Sequence, residues 1–145
     1  MLLGAVLVSC STDSLTVKIA DGSSVRLTPV TSEIIRVSSV PAGAKFSKDA
    51  SLVVDYKGNA PDFTIKKDNT SASLSTGKLT ATVSLADGKV TFFDADGKQI
   101  LKEDKREFSP IEVEGDKGFT VRQVFASNDG EAFYGLAQNQ ADEWN

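Results

Sequence analysis

Histidine is absent from this 145-residue chain, and that absence removes whole classes of chemistry. No Ser-His-Asp or Cys-His nucleophile can be assembled from the chain's own side chains. A zinc site of the H-E-x-x-H kind and a histidine general acid are excluded in the same way. Cysteine occurs once, at Cys10, so no internal disulfide can form. A surplus of positive charge is missing too: 16 Lys and Arg stand against 20 Asp and Glu, for a net charge of −4. Neutralising phosphates needs a basic face, so nucleic acid is not an expected partner. Lys102, Lys105 and Arg106 do gather in "LKEDKREF", but Glu103, Asp104 and Glu107 cancel them, and the stretch reads as a solvated loop of mixed charge. No segment keeps a helical period, no internal repeat or low-complexity tract is visible, and nothing calls for a cofactor.

What the chain does have is alternation. In "LTVKIA", Leu15, Val17 and Ile19 share a face opposite Thr16 and Lys18. "SVRLTPV" sets Val25 and Leu27 against Arg26 and Thr28, and "KLTATVSLA" sets Leu79, Ala81, Val83 and Leu85 against Thr80, Thr82 and Ser84. "FTVRQVFA" places Phe119, Val121 and Phe125 on one side and Arg122 on the other. A period of two marks half-buried antiparallel strands. "EIIRVSSV", "DFTIKK", "KVTFFD" and "KQILKE" are shorter candidates, and "SLVVDY" is a further one within a looser region at 41–61. Asp-Gly pairs at 21–22, 87–88, 96–97 and 129–130 adjoin these strands and suit tight hairpins, because both residues tolerate positive φ. Hydrophobic content of 40% and charged content of 25% are those of a soluble globular domain. A chain this long can bury about two thirds of its unfolded surface, enough to fold without disulfides or metals. The expected fold is all-β: eight to ten short strands in an antiparallel β-sandwich.

The first ten residues, "MLLGAVLVSC", are a separate unit. The apolar run at 2–8 is too short to span a bilayer but suits the core of a secretory signal. It leads into "LVSC", which resembles the lipobox of bacterial lipoprotein signals, in which the cysteine is lipidated and becomes the new N-terminus. No Lys or Arg precedes the run, the first being Lys18, so the leader is shorter than usual. The expected organisation is a signal peptide at 1–10, a polar tether at 11–14 and one β-sandwich domain at 15–145. A lipid anchor on Cys10 would tie the protein to a membrane as an envelope lipoprotein, facing the periplasm or exposed on the outer-membrane surface. The competing reading of 1–10 is a buried N-terminal strand with a free Cys.

Three motifs could carry a ligand. "DADGK" at 94–98 has the look of a calcium loop, but Gly97 stands fourth rather than sixth, and a hairpin turn accounts for it better. "EVEGDKG" puts Glu112, Glu114 and Asp116 at alternate positions of what reads as an extended segment, where they would share a face. Without a fourth fixed ligand no metal site is assigned. "NTS" at 69–71 fits a glycosylation acceptor and reads more simply as a turn. Residues 131–145, "EAFYGLAQNQADEWN", are the most site-like stretch. Tyr134 and Trp144 are flat apolar rings of the kind sugar faces stack on, and Gln138, Asn139, Gln140, Asp142 and Asn145 supply the donors and acceptors that sugar hydroxyls need.

That tail resembles the segment closing the N-terminal β-sandwich of glycoside hydrolase family 31, where "YGLG" followed by Gln or Glu recurs. "VRLTPVTSEIIRV", then "LSTGKLTATVSLADGKVTFFDADGKQIL", then "VRQVF" follow in the same order, so the resemblance covers about 15–145. It is nearest to bacterial members of the α-xylosidase and α-glucosidase type. Ala137 stands where the second glycine is usual, and Asn139 where a histidine is common. The resemblance implies a galactose-mutarotase-like fold (supersandwich) and a non-catalytic part. Retaining hydrolysis in that family uses two aspartates on a following (β/α)₈ barrel, their carboxyl groups roughly 5 Å apart. This chain would pack on that barrel and lend Tyr134, Gln138, Asn139, Asp142 and Trp144 to the rim of a pocket for α-xylosides or α-glucosides. It would carry no catalytic residue and no metal ligand. Aldose mutarotase activity, suggested by the fold name, needs a histidine acid and is not expected. The alternative functions are a stand-alone carbohydrate-binding envelope lipoprotein and a purely structural envelope domain.

Overall fold

The computed structural model describes residues 7–10, 13–47, 56, 58–127 and 130–132. Ten strands account for the secondary structure there, and no helix occurs among the described residues. Strands β1 (Leu7–Cys10), β2 (Leu15–Lys18), β3 (Ser24–Thr31) and β4 (Ile34–Val40) form a four-stranded sheet in that order. A six-stranded sheet contains β5 (Thr64–Lys67), β6 (Ser71–Ser75), β7 (Leu79–Ser84), β8 (Val90–Asp94), β9 (Gln99–Val113) and β10 (Asp116–Phe125), also ordered by sequence. Every pairing is antiparallel, so each sheet is a simple meander and the whole is an antiparallel β-sandwich.

The alternation read from the sequence becomes the core. Leu15, Val17, Ile19, Val25, Leu27 and Ile35 of the first sheet meet Ala72, Leu74, Ala81, Val83, Leu85 and Val90 of the second. Removing such side chains from water is the main favourable term in folding, about 1.5–3 kcal/mol for each fully buried Val or Leu. The turns lock the two layers at one end. Thr76 donates its hydroxyl to the Ser32 carbonyl at 2.6 Å, and Lys78 pairs with Glu33 at 2.8 Å. The Asp-Gly turns at 21–22, 87–88 and 96–97 join consecutive strands with positive φ at Gly22, Gly88 and Gly97, whereas Asp129 lies outside the described residues. In "DADGK", Asp94 Oδ1 accepts from the N–H groups of Asp96 and Lys98 at 3.0 and 2.9 Å, which makes it a hairpin turn.

Four expectations need correction. Strand β6, "SASLS", went unread because three of its five residues are serine, yet Ala72 and Leu74 alternate inward and are fully buried. "LKEDKREF" is no solvated loop: it lies wholly within β9, and Glu103 is only 1% exposed. "EVEGDKG" is not one extended segment, because Glu114 and Gly115 form a two-residue turn with φ of 51° and 91°, the mirror-image geometry that matches strand twist. Phe119, Val121 and Phe125 of β10 do share a face, but all three are exposed, at 47%, 63% and 43%, where the alternation leads one to expect a buried face. "SLVVDY" lies outside the described residues except for Tyr56.

Strand β9 is unusual in a second way. Lys105 pairs with Val124 and Glu103 with Phe125, which leaves Asp104 unopposed. Such a bulge inverts the alternation of the bulged strand and re-aims its side chains. On one side of it Glu103 points between the sheets, and on the other side Arg106 does so as well. Beyond the bulge β9 continues with β10 as a two-stranded ribbon, since β8 pairs with β9 only as far as Lys102.

Candidate functional site

The substrate-rim candidates Tyr134, Gln138, Asn139, Asp142 and Trp144 lie outside the described residues, as do Gln140 and Asn145. Cys10 is placed by its backbone alone, as the last residue of β1, opposite Leu15. The three carboxylates of "EVEGDKG" are separated. Glu112 faces the same side as Lys117, Asp116 pairs with Val113 on the other side, and Glu114 sits in the turn. No group of three metal-ligating side chains occurs among the described residues.

What the fold does assemble is a buried charged cluster that the sequence did not reveal. Glu103 Oε1 accepts from Arg106 Nε at 2.8 Å and from Gln123 Nε2 at 3.0 Å. Its Oε2 accepts from Arg106 Nη2 and from the Val90 N–H, the latter at 3.0 Å. Arg106 Nη1 then donates to Ser39 Oγ at 2.9 Å, and Ser39 Oγ donates to the Ser24 carbonyl at 3.3 Å. Five strands from both sheets are joined in one chain of hydrogen bonds. A forked guanidinium against both oxygens of a carboxylate is the strongest form of such a pair. A buried carboxylate with every oxygen occupied holds structure and has no lone pair left for a substrate. The missed signal was the spacing of Glu103 and Arg106, which shares a face only across a bulge.

Beside Glu103 lies a hollow of about 330 Å³ on the outer face of the six-stranded sheet, lined by hydroxyls such as Thr82, Ser84 and Thr91 and by Asp87, Lys89 and Lys102. Burial pushes the Asp87 carboxyl up, but hydrogen bonds from Ser84 and Lys89 and the Lys89 charge at 3.2 Å outweigh it, and it ends below the usual carboxylate range. Glu33, Asp68 and Glu107 are also shifted downward, chiefly by hydrogen bonds from Lys78, Thr70 and Lys105 respectively. Glycoside hydrolysis needs one carboxyl raised enough to carry a proton at working pH. The described carboxylates with resolved shifts all move the opposite way.

Comparison with known proteins identifies what kind of sandwich this is. The family model for the glycosyl hydrolase 31 N-terminal galactose mutarotase-like domain matches residues 24–145. The chain belongs to glycoside hydrolase family 31. Among solved structures, the crystal structure of the family 31 α-xylosidase from Xanthomonas citri is similar, with 41% sequence identity and a TM-score of 0.80. The match covers 90% of this chain and 15% of that enzyme's chain. Family 31 membership accounts for the all-β, galactose-mutarotase-like architecture and for the order of motifs along the sequence.

Proposed function

We propose that this chain is the non-catalytic N-terminal domain of a family 31 α-glycosidase of the α-xylosidase or α-glucosidase type. The observation that carries the reading is 41% identity to an α-xylosidase over 90% of this chain, against only 15% of that enzyme. In this role the sandwich packs on a catalytic (β/α)₈ barrel and lends its C-terminal segment, with Tyr134, Gln138, Asn139, Asp142 and Trp144, to the pocket rim. Glu103, the one buried charged residue among the described residues, spends both carboxylate oxygens on internal hydrogen bonds, which supports a part without acid–base chemistry of its own. The test is hydrolysis of p-nitrophenyl α-xyloside and α-glucoside by the 145-residue chain and by any longer polypeptide its gene encodes. Activity only in the longer product is expected; turnover by the short chain alone would overturn the assignment. Calorimetry with xylose- and glucose-containing oligosaccharides separates the alternative, since tight binding by the short chain marks a stand-alone carbohydrate-binding lipoprotein.

Lipidation of Cys10 and an envelope location belong to the same proposal and rest on "LVSC". One observation favours the competing reading. Leu7–Cys10 pair with β2 as an edge strand of the four-stranded sheet, and cleavage before Cys10 would remove most of β1 and leave β2 at the edge. The intact mass of the natural protein decides: loss of nine residues with an acylated Cys10 is expected for the lipoprotein, and an unmodified Cys10 behind an intact leader makes β1 a permanent strand.

A further inference from the structure

The inner face of the six-stranded sheet continues past the layer that covers it. Ile35 is buried and Val37 packs on the core, so Ser39, two residues on, also faces inward from β4. Arg106 reaches Ser39 and Gln123 reaches Glu103, which places both on the inner face of β9 and β10. Residues directly opposite in an antiparallel ladder share a face, and the side-chain period is two. The pairs Phe108–Val121 and Pro110–Phe119 are therefore on that same inner face. Phe108 and Phe119 meet edge to face, with ring centroids 6.3 Å apart. The opposite face carries the Glu107–Arg122 pair and Lys105, together with exposed Ile111 and Val113 nearer the turn. Yet β4 is the last strand of the covering sheet among the described residues, and Phe119 and Val121 stand largely in water. β10 is likewise the last strand of its own sheet there.

We propose that the inner face of the β9–β10 ribbon is the docking surface for a segment of the longer polypeptide, laid beside β4 so that the covering layer runs on over Phe108, Pro110, Phe119 and Val121. This inference rests on the proposed function and names the surface through which the domain joins the rest of the enzyme. Three observations select the occupant. At the level of the Phe108–Val121 and Pro110–Phe119 pairs the outer side carries Glu107, Arg122, Ser109 and Thr120, whereas Ile111 and Val113 face outward only nearer the turn, so the apolar patch beside β4 suits an internal layer. The Glu103–Arg106–Ser39 chain holds the ribbon in place relative to β4 before anything binds. The similar α-xylosidase has most of its chain outside the matched part, which supplies the covering segment. A second copy of this chain is the competing occupant.

The test is cysteine labelling in a Cys10→Ser background, with Val121→Cys on the inner face and Val113→Cys on the outer. Maleimide rates are compared between the 145-residue chain and the longer gene product. In the short chain both sites should label rapidly. In the longer product Val121→Cys should slow by at least about 100-fold while Val113→Cys keeps its rate, because only the covered face must open before reacting. Equal Val121→Cys rates in the two proteins overturn the proposal, and so does equal slowing at both sites. Slowing at Val121→Cys in the longer product that disappears on dilution assigns the face to a second copy instead. Should either variant fail to fold, amide hydrogen exchange over 116–125 in the two unsubstituted proteins gives the same comparison. If the natural product proves no longer than 145 residues, the proposed function falls together with the docking. A longer product with an unprotected ribbon removes the docking alone.

Discussion

Arg106 grips the Glu103 carboxylate with two of its nitrogens and reaches Ser39 on the facing sheet with the third. Glu103 is 1% exposed, so its charge has no water to fall back on. Breaking such a pair from one side leaves an uncompensated buried ion.

Arg106→Ala is accordingly expected to destabilise the domain by about 3 kcal/mol. Replacing both members with apolar residues, as in Glu103→Leu with Arg106→Met, should cost less than the single change. Urea unfolding at neutral pH measures both, and a double variant weaker than the single one would show that the charges themselves stabilise the fold.

Gly88 combines positive φ, at 72°, with a close approach to the core. A Cβ built there would stand 3.0 Å from Ile19 Cγ1 and 3.3 Å from Val25 Cγ2. Gly77 has a φ of 86° with nothing within 4 Å. Gly77→Ala should therefore cost only the conformational term, about 1–2 kcal/mol. Gly88→Ala should cost more, by about 1 kcal/mol for the displaced neighbours. Thermal unfolding of the two variants side by side checks the order, and equal losses would mean that the β7–β8 turn moves freely off Ile19.

Asp68 caps the turn between β5 and β6. Its carboxyl is held down to about 2, first by the Thr70 N–H, then by the Thr70 hydroxyl and by the hydroxyl and N–H of Ser71. The folded value lies below the unfolded one of 3.8. Stability from this turn is thus complete above the unfolded value and is lost as pH falls through the folded one. Asp68→Ala should lower the melting temperature at pH 7, and the gap to the unsubstituted protein should close near pH 2. A gap that persists unchanged in acid would trace the loss to packing.

The exposed apolar ribbon should make the isolated 145-residue chain prone to self-association. Val121→Thr with Phe119→Thr is expected to shift sedimentation toward monomer while leaving the melting temperature within a few degrees, since neither side chain is part of the described core. Unchanged association would locate the sticky surface elsewhere on the molecule.

By itself the sequence determined the strands whose two faces differ in chemistry. Leu15 to Ile19, Val25 to Leu27 and Leu79 to Leu85 were legible because one side of each must leave water, and a period of two permits only one way to do so. The Asp-Gly turns were legible because positive φ selects few residue types. The order of motifs carried the family. Tertiary structure alone decided what crosses between strands. Ser-rich β6 has little intrinsic preference and became a strand only through β5 and β7 on either side. The extra residue at Asp104 turned Glu103 and Arg106, which strict alternation sets on opposite faces, toward the same interior. Whether Phe119 is core or surface depends on how far the opposite sheet extends, a distance that no local pattern in β10 encodes.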